Sequence, residues 1–456
     1  MRMLERMDRT MSSLRPMLWM IAILTLFRVY LSGELELAED EAYYWMWSER
    51  LDFGYFDHPP AIAWLIRIGT EILGSTERGV RLLSTLLGGL IALICATIPP
   101  PKERRKGQAF LTALVLLFLP LFALGGLLAT PDVPLCAAWA FGLWAAARQR
   151  PYLLGIAAGL AMLSKYTGVL LLPLILIMEP KRIRERNTWL SIGVAALVYA
   201  PNAFWNFRHD FVSWKFQFEH ATSGGRSLDF IGAQAALVSP FLFLLFAAWW
   251  CVGWRGARLE RICWWTSVPL IILATWSGGE ANWAAPAYVS STVGLCCRAG
   301  RWTRATWVST IFAIGVSITF LIHLIHPIIN VRGDPRARLE GGQTLGASVA
   351  AWDIPTVSTS RYQEAGLISF YGGINAVALP DHGRADQFDI WETDLPDRTL
   401  YIRVSDGERA PAIESRGYHS RGVHTVRAFM STSDPLIDEI VQQWQVYEVV
   451  RENPVP

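Results

Sequence analysis

The chain alternates long apolar stretches with short polar ones. Apolar runs occupy residues 17–31, 79–98, 108–124, 133–147, 152–163, 168–178, 188–204, 230–252, 262–276, 283–297 and 305–326. Such runs predict membrane-crossing helices, and counting each as one pass gives about eleven. The stretch 152–178 tests that count. Its residues, about 27 of them, would make one helix of roughly 40 Å, long for one crossing and short for two. Both ends are basic, which requires an even number of crossings. The turn then falls at Ser164-Lys165-Tyr166-Thr167-Gly168.

The polar stretches are sided. Lys102, Arg104, Arg105 and Lys106 fill one short loop, and Arg148 with Arg150 another. Lys181, Arg182, Arg184 and Arg186 form a third, Arg255, Arg258 and Arg261 a fourth, and Arg298, Arg301 and Arg304 a fifth. With the basic N-terminus (Arg2, Arg6, Arg9, Arg15) they fall on every second loop. One orientation satisfies them all: N-terminus cytoplasmic, loop 37–64 and the C-terminus outside. Without a small-x-small cleavage site after run 17–31, the first segment reads as a retained signal-anchor helix.

The pattern changes after His326-Pro327. Residues 328–456 predict a small soluble α/β domain on the outer side, with transmembrane residues 1–327 before it. Strands are expected at 356–359, 376–379, 399–404 and 423–429. A helix over 361–371 would be capped by Ser360 and Gln363 and stopped by Gly372-Gly373. No catalytic motif lies there, so a binding or lid role is expected.

Composition agrees with a polytopic membrane protein. Of 456 residues, 52% are hydrophobic, and the mean hydropathy is +0.28. The net charge of +2 hides the loop asymmetry, and the 21 tryptophans suit two aromatic interfaces. The six cysteines match neither a zinc site nor a disulfide framework.

Candidate chemistry collects on the predicted outer side. Loop 37–64 carries Glu39, Asp40, Glu41, Glu49, Asp52 and Asp57 among the aromatics Tyr43, Tyr44, Trp45, Trp47, Phe53, Tyr55 and Phe56, and closes on His58-Pro59-Pro60. It reads either as a solvated interfacial loop or as a site at the lipid–water boundary. Lys165 either snorkels to the headgroups or holds a lipid phosphate at the bottom of a recess. Asp132 either caps the following helix or faces the same outer side as Asp40. Residues 202–229 read as an outer loop bearing Arg208 and His220, and a short loop brings Glu280 and Asn282. Walker, HExxH, GxSxG and GxGxxG motifs are absent. That disfavours soluble nucleotide-sugar or ATP chemistry and points to a lipid-linked substrate arriving through the membrane.

Glu39-Asp40-Glu41-Ala42-Tyr43-Tyr44 and Tyr55-Phe56-Asp57-His58-Pro59-Pro60 resemble the first outer loop of the bacterial glycosyltransferase 39/83-like family. Its relatives include protein O-mannosyltransferases, the aminoarabinose transferases of lipid A and Rgt-like membrane transferases. The resemblance continues through Thr130–Pro134, Leu163–Thr167, Pro201–Asp210 and Glu280–Trp283, with its core over 38–290. It implies a GT-C fold, a polyprenyl-phosphate sugar as donor, and transfer, generally inverting, to a lipid, glycan or protein acceptor. The setting implied is the outer face of a bacterial inner membrane. Asp40 and Glu41 match the family's acidic pair, with Asp40 as general base. Lys165 and His58 are candidates for the donor phosphate, although the family's aminoarabinose transferases carry lysine at the position of His58. Asp57, Asp132, Arg208, His220, Glu280 and Asn282 complete the candidate set. No cofactor is assigned, a divalent metal stays open, and nucleic acid is not an expected partner. The rival from another class is a multi-pass lipid or sugar transporter. Against it stand the lack of an internal repeat and the placing of the acids at one face rather than at the midplane.

Overall fold

The computed structural model describes residues 14–222, 227–326, 328, 334–379, 385–391, 395–404, 418–430 and 439–451. The chain forms two compact units, and neither is one continuous segment. The first comprises Met1–Leu31, His58–Leu65 and Arg81–Leu321; the second comprises Ser32–Asp57, Ile66–Val80 and Ile322–Pro456. The expected division at 327/328 follows chain order and is redrawn here: most of loop 37–64 belongs with the C-terminal residues.

The first unit is helical. Among the described residues, Leu14–Leu31, Glu77–Thr97 and Arg301–Ile325 are long and apolar enough to cross a membrane. A fourth candidate is the pair Asp229–Val238 and Pro240–Trp250, bent by 111°. Other apolar runs are realised as shorter helices, including Gln108–Phe118, Asp132–Ala147, Pro151–Ser164 and Tyr166–Met178. Eleven apolar runs are therefore not eleven unbroken long helices. Proline explains two of the breaks: Pro120 and Pro240 each open a new helix, where a missing N–H costs least. At the first break the carbonyls of Leu117 and Phe118 are taken by the buried Arg28 guanidinium and the Ser317 hydroxyl. Buried backbone acceptors in an apolar setting need such partners.

The break at Lys165 falls where the sequence places it. Pro151–Ser164 ends there, and a 3₁₀ turn over Tyr166–Leu170 leads into Leu171–Met178. The turn folds back closely: a Cβ on Gly168 would lie 2.3 Å from the Ala161 carbonyl. Only glycine fits that approach. Residues 202–229, expected as a loop, are largely helical. Arg186–Arg208 runs on through Pro201, and Val212–Thr222 follows a reversal in which Asp210 and Phe211 have φ of 53° and 57°.

The second unit centres on a five-stranded sheet: β1 (Thr356–Thr359), β2 (Asn375–Ala378), β3 (Arg398–Val404), β4 (Tyr418–Met430) and β5 (Glu439–Arg451), in the order β2-β1-β3-β5-β4. β1 pairs in parallel with β2 and β3, while β5 runs antiparallel to β3 and β4. Helix Tyr362–Gly372 links β1 to β2 and ends on Gly373 at φ 64°, as expected. Its N-cap is Arg361, however, so the proposed Ser360 cap is displaced by one residue. The sequence reading missed β5, because Gln442, Gln443 and Gln445 dilute a strand whose Trp444 and Val446 are buried.

Loop 37–64 is also mostly helical, since Glu39–Glu49 is a helix. Three acids in its first turn favour the positive end of the helix dipole. It packs on helix Tyr362–Gly372, where a Cβ on Gly366 would meet the Tyr43 amide nitrogen at 2.8 Å.

Candidate active site

In the first unit, three residues distant in sequence converge. Asp132 opens helix Asp132–Ala147 after Pro131. Lys165 stands in extended backbone (φ −155°, ψ 144°) at the end of Pro151–Ser164. Asn282 lies in a 3₁₀ turn over Ala281–Ala284. Lys165 Nζ donates to Asp132 Oδ1 at 2.8 Å, and Asn282 Nδ2 donates to Asp132 Oδ2 at 2.6 Å. Lys165 is 6% and Asp132 8% exposed. Both plain alternatives are thereby corrected. Asp132 is the first residue of its helix, with Pro131 in the N-cap position, and a lysine this buried and paired does not snorkel.

Cavities flank this cluster on two sides. One of about 490 Å³ is lined by Lys165, Tyr166, Tyr199, Trp214, Phe218 and Trp283, with mostly apolar walls. Its polar edge is ordered, with Trp214 Nε1 donating to Tyr199 Oη at 3.0 Å and Asn206 Nδ2 to Tyr166 Oη at 3.2 Å. The other, about 200 Å³, meets Asp132 and Asn282 among Leu116, Leu121, Phe122 and Val133. An ammonium carries three N–H donors. Lys165 can therefore keep Asp132 and still donate to an anion in the larger cavity. Tyr199 and Trp214 were not among the sequence candidates, because aromatic residues within apolar runs give no separate signal.

Exposed polar groups stand beside Trp283. His220 Nε2 lies 3.9 Å from Glu280 Oε1, and its ring approaches Trp283 edge-on with centroids 5.5 Å apart. That pair carries attraction only while the imidazole is protonated. Arg208 is exposed at the end of its helix, and His58 is half-buried.

The second unit holds the acidic pair. Asp40 is exposed, with the Tyr362 hydroxyl 3.5 Å from its Oδ1. Glu41 is 1% exposed, and its Oε2 accepts the Ala38 amide at 2.9 Å. Glu41 is thus engaged in holding the start of its helix, whereas Asp40 faces outward. Asp57 is buried and accepts the Tyr43 hydroxyl at 3.0 Å; that oxygen in turn accepts the Gln387 amide at 2.8 Å. Burial, with Asp57 and Asp386 nearby, pushes the Tyr43 phenol well above its usual range, so it stays a donor. Gln387 also accepts the Phe56 amide at 2.7 Å. Asp57 therefore acts as an anchor for the chain. Glu364, absent from the sequence candidates, is 2% exposed. Burial and the neighbouring Glu39 push its carboxyl up to about 8. Among the described residues, no group of three or more His, Cys, Asp or Glu side chains converges as a metal site.

Comparison with known proteins places this architecture. Residues 57–205 match the family described as dolichyl-phosphate-mannose-protein mannosyltransferase. The lipid A galacturonosyltransferase RgtD of Rhizobium johnstonii is 33% identical over 283 residues, 56% of this chain and 59% of that protein. The undecaprenyl phosphate-alpha-4-amino-4-deoxy-L-arabinose arabinosyl transferase 1 of Sodalis glossinidius is 28% identical over 280 residues, 53% of this chain and 49% of that protein. The matched region thus spans between 49% and 59% of these relatives. In three dimensions, ArnT from Cupriavidus metallidurans bound to undecaprenyl phosphate superposes with a TM-score of 0.67 at 15% identity, over 95% of this chain and 98% of that one. The oligosaccharyltransferase AglB of Archaeoglobus fulgidus, solved with an inhibitory peptide and a dolichol-phosphate, gives 0.54 at 12% identity, over 79% of this chain and 64% of that one. The fold is the GT-C fold expected from the sequence, and the family resemblance read there holds.

Proposed function

We propose that this GT-C chain is a membrane glycosyltransferase that moves a sugar from a polyprenyl-phosphate donor to a hydroxyl of a lipid A-like glycolipid. The observation that carries the reading is the buried Lys165 ammonium, held by Asp132 at the edge of an apolar cavity of about 490 Å³. A prenyl chain suits the apolar walls, and its phosphate suits the free N–H directions of the lysine. The named activities of the two curated relatives favour a lipid A-type acceptor. The sided loops favour an inner-membrane protein with its chemistry on the extracytoplasmic face.

In the reaction, Asp40 is assigned the general base. It takes the acceptor hydroxyl proton as that oxygen attacks the anomeric carbon. The bond from anomeric carbon to phosphate oxygen breaks, and the polyprenyl phosphate departs with the electron pair. Lys165 stabilises the charge developing on that phosphate. The relatives matched are transferases by name, which favours this reading over a transporter.

The test uses purified protein and a labelled polyprenyl-phosphate sugar. Lys165→Arg keeps the charge but changes the geometry and should retain part of the donor affinity that Lys165→Ala loses. Undiminished donor binding in Lys165→Ala would remove the phosphate role. Cysteine labelling should reach positions 52, 280 and 361 from outside and 104, 184 and 301 from inside; the reverse would overturn the sidedness.

A further inference from the structure

Another cavity, which none of the candidate catalytic groups lines, lies among the basic loops of the first unit. It encloses about 110 Å³ and is lined by Arg150, Arg182 and Arg258. Two long helices, Pro151–Ser164 and Arg186–Arg208, begin beside it, and Pro151, Asn187 and Thr188 from their first turns line it. Helix N-termini and guanidinium groups both favour an anion. Glu179 is shared: Arg258 Nε meets its Oε1 at 2.9 Å, and Arg182 bonds its other oxygen. Arg150 has no ion-pair partner among the described residues, and Glu185 is the one acid lining the cavity. Three cations therefore face two carboxylates, leaving a surplus of positive charge.

The other wall is apolar, formed by Leu154, Leu172, Ile175 and Leu176. Around the cavity, large apolar side chains stand outward: Tyr152 is 61%, Ile177 52%, Ile183 53% and Trp189 60% exposed. Trp189 keeps its indole N–H satisfied by the Ile183 carbonyl at 2.9 Å. Tyrosine and tryptophan rings beside basic groups mark the level of the headgroups. A free anion would use the arginines and leave the apolar wall idle.

The geometry points to a binding site for an anionic phospholipid, its phosphate among Arg150, Arg182 and Arg258 and its acyl chains along Leu154, Leu172, Ile175 and Leu176. Arg182 and Arg258 keep Glu179 while donating remaining N–H groups to the phosphate. The site does not depend on the transferase assignment, since it uses none of those residues.

Native mass spectrometry of the full chain, titrated with phosphatidylglycerol or phosphatidylcholine, tests it. Phosphatidylglycerol should bind more tightly than phosphatidylcholine, and Arg150→Gln with Arg182→Gln should weaken it by roughly fivefold per arginine removed. Arg150→Gln alone, which breaks no ion pair, guards against a misfolded double variant. Arg301→Gln, in another basic loop, should bind normally. Equal phosphatidylglycerol affinity in the double variant and parent would overturn the site. So would an equal loss in Arg301→Gln, the signature of diffuse attraction. Displacement of the lipid by millimolar inorganic phosphate would show a free-phosphate site and overturn the lipid assignment.

Discussion

Asp132 and Asp40 are the same side chain in opposite circumstances. Asp132 is buried, and each of its oxygens takes a short bond, from Lys165 and from Asn282. Asp40 is exposed on the first turn of its helix, where the Tyr362 hydroxyl lies 3.5 Å from its Oδ1. A carboxylate whose lone pairs are bound to a cation and an amide is a good anchor. A carboxylate facing water is open to an incoming hydroxyl. That difference fits the proposed roles, in which Asp132 holds Lys165 and Asp40 serves as the base.

The sharpest way to break this contrast is Asp40→Asn. Turnover should fall by about 10²–10⁴-fold, while the melting temperature and donor binding stay near those of the parent. Near-normal turnover, measured with labelled donor, would take the base away from Asp40. Lys165→Ala should do the converse and destabilise the fold by roughly 3–5 kcal/mol, because it leaves a buried carboxylate without its cation. A thermal melt reads this. The double variant Lys165→Ala/Asp132→Ala should recover part of the loss, and simple additivity would deny the coupling.

Glu364 offers a titration. Its folded carboxyl is raised to about 8 from an ordinary 4.5, so between those values the native state holds a proton that the unfolded chain has released. Stability from this group is full below about 4.5 and is lost as pH rises through about 8. Glu364→Gln should flatten that decline in a series of melts from pH 5 to 9; an unchanged slope would place the proton elsewhere. Glu41→Gln weakens a charged acceptor for the Ala38 amide and should cost about 1 kcal/mol. Least of all, Glu280→Gln, at an exposed pair with 3.9 Å between its atoms, should shift stability by less than about 0.5 kcal/mol.

These contrasts show what a sequence can carry. Apolar periodicity announced a helical membrane protein, and the motif order announced its GT-C fold. The break at Lys165 was legible because basic residues bracket a stretch too long for one helix and too short for two. The partners of Lys165 were not, because Asp132 lies 33 residues away and Asn282 a further 150 beyond Asp132 in the bonded set. Sequence placed them all on one side, and only packing could pair them. The helix Glu39–Glu49 was hidden for another reason. Its acids are a helix-start signal, but beside a membrane segment they read equally well as a solvated loop. Glu41 shows the cost of treating an acidic pair as a pair: adjacent positions on one helix point different ways.

One consequence concerns the order of manufacture. The unit bearing Asp40 is assembled from Ser32–Asp57, Ile66–Val80 and Ile322–Pro456, and its early helix rests against Gly366 through the Tyr43 amide. On the ribosome those two positions are separated by about 320 residues, or roughly 16–65 s of elongation at about 5–20 residues per second. Throughout that interval the nascent chain already carries its acidic helix sequence, yet lacks the surface that Ala42 and Tyr43 pack against. A nascent chain that stops before helix Tyr362–Gly372 therefore carries its early helix without the surface that helix packs on.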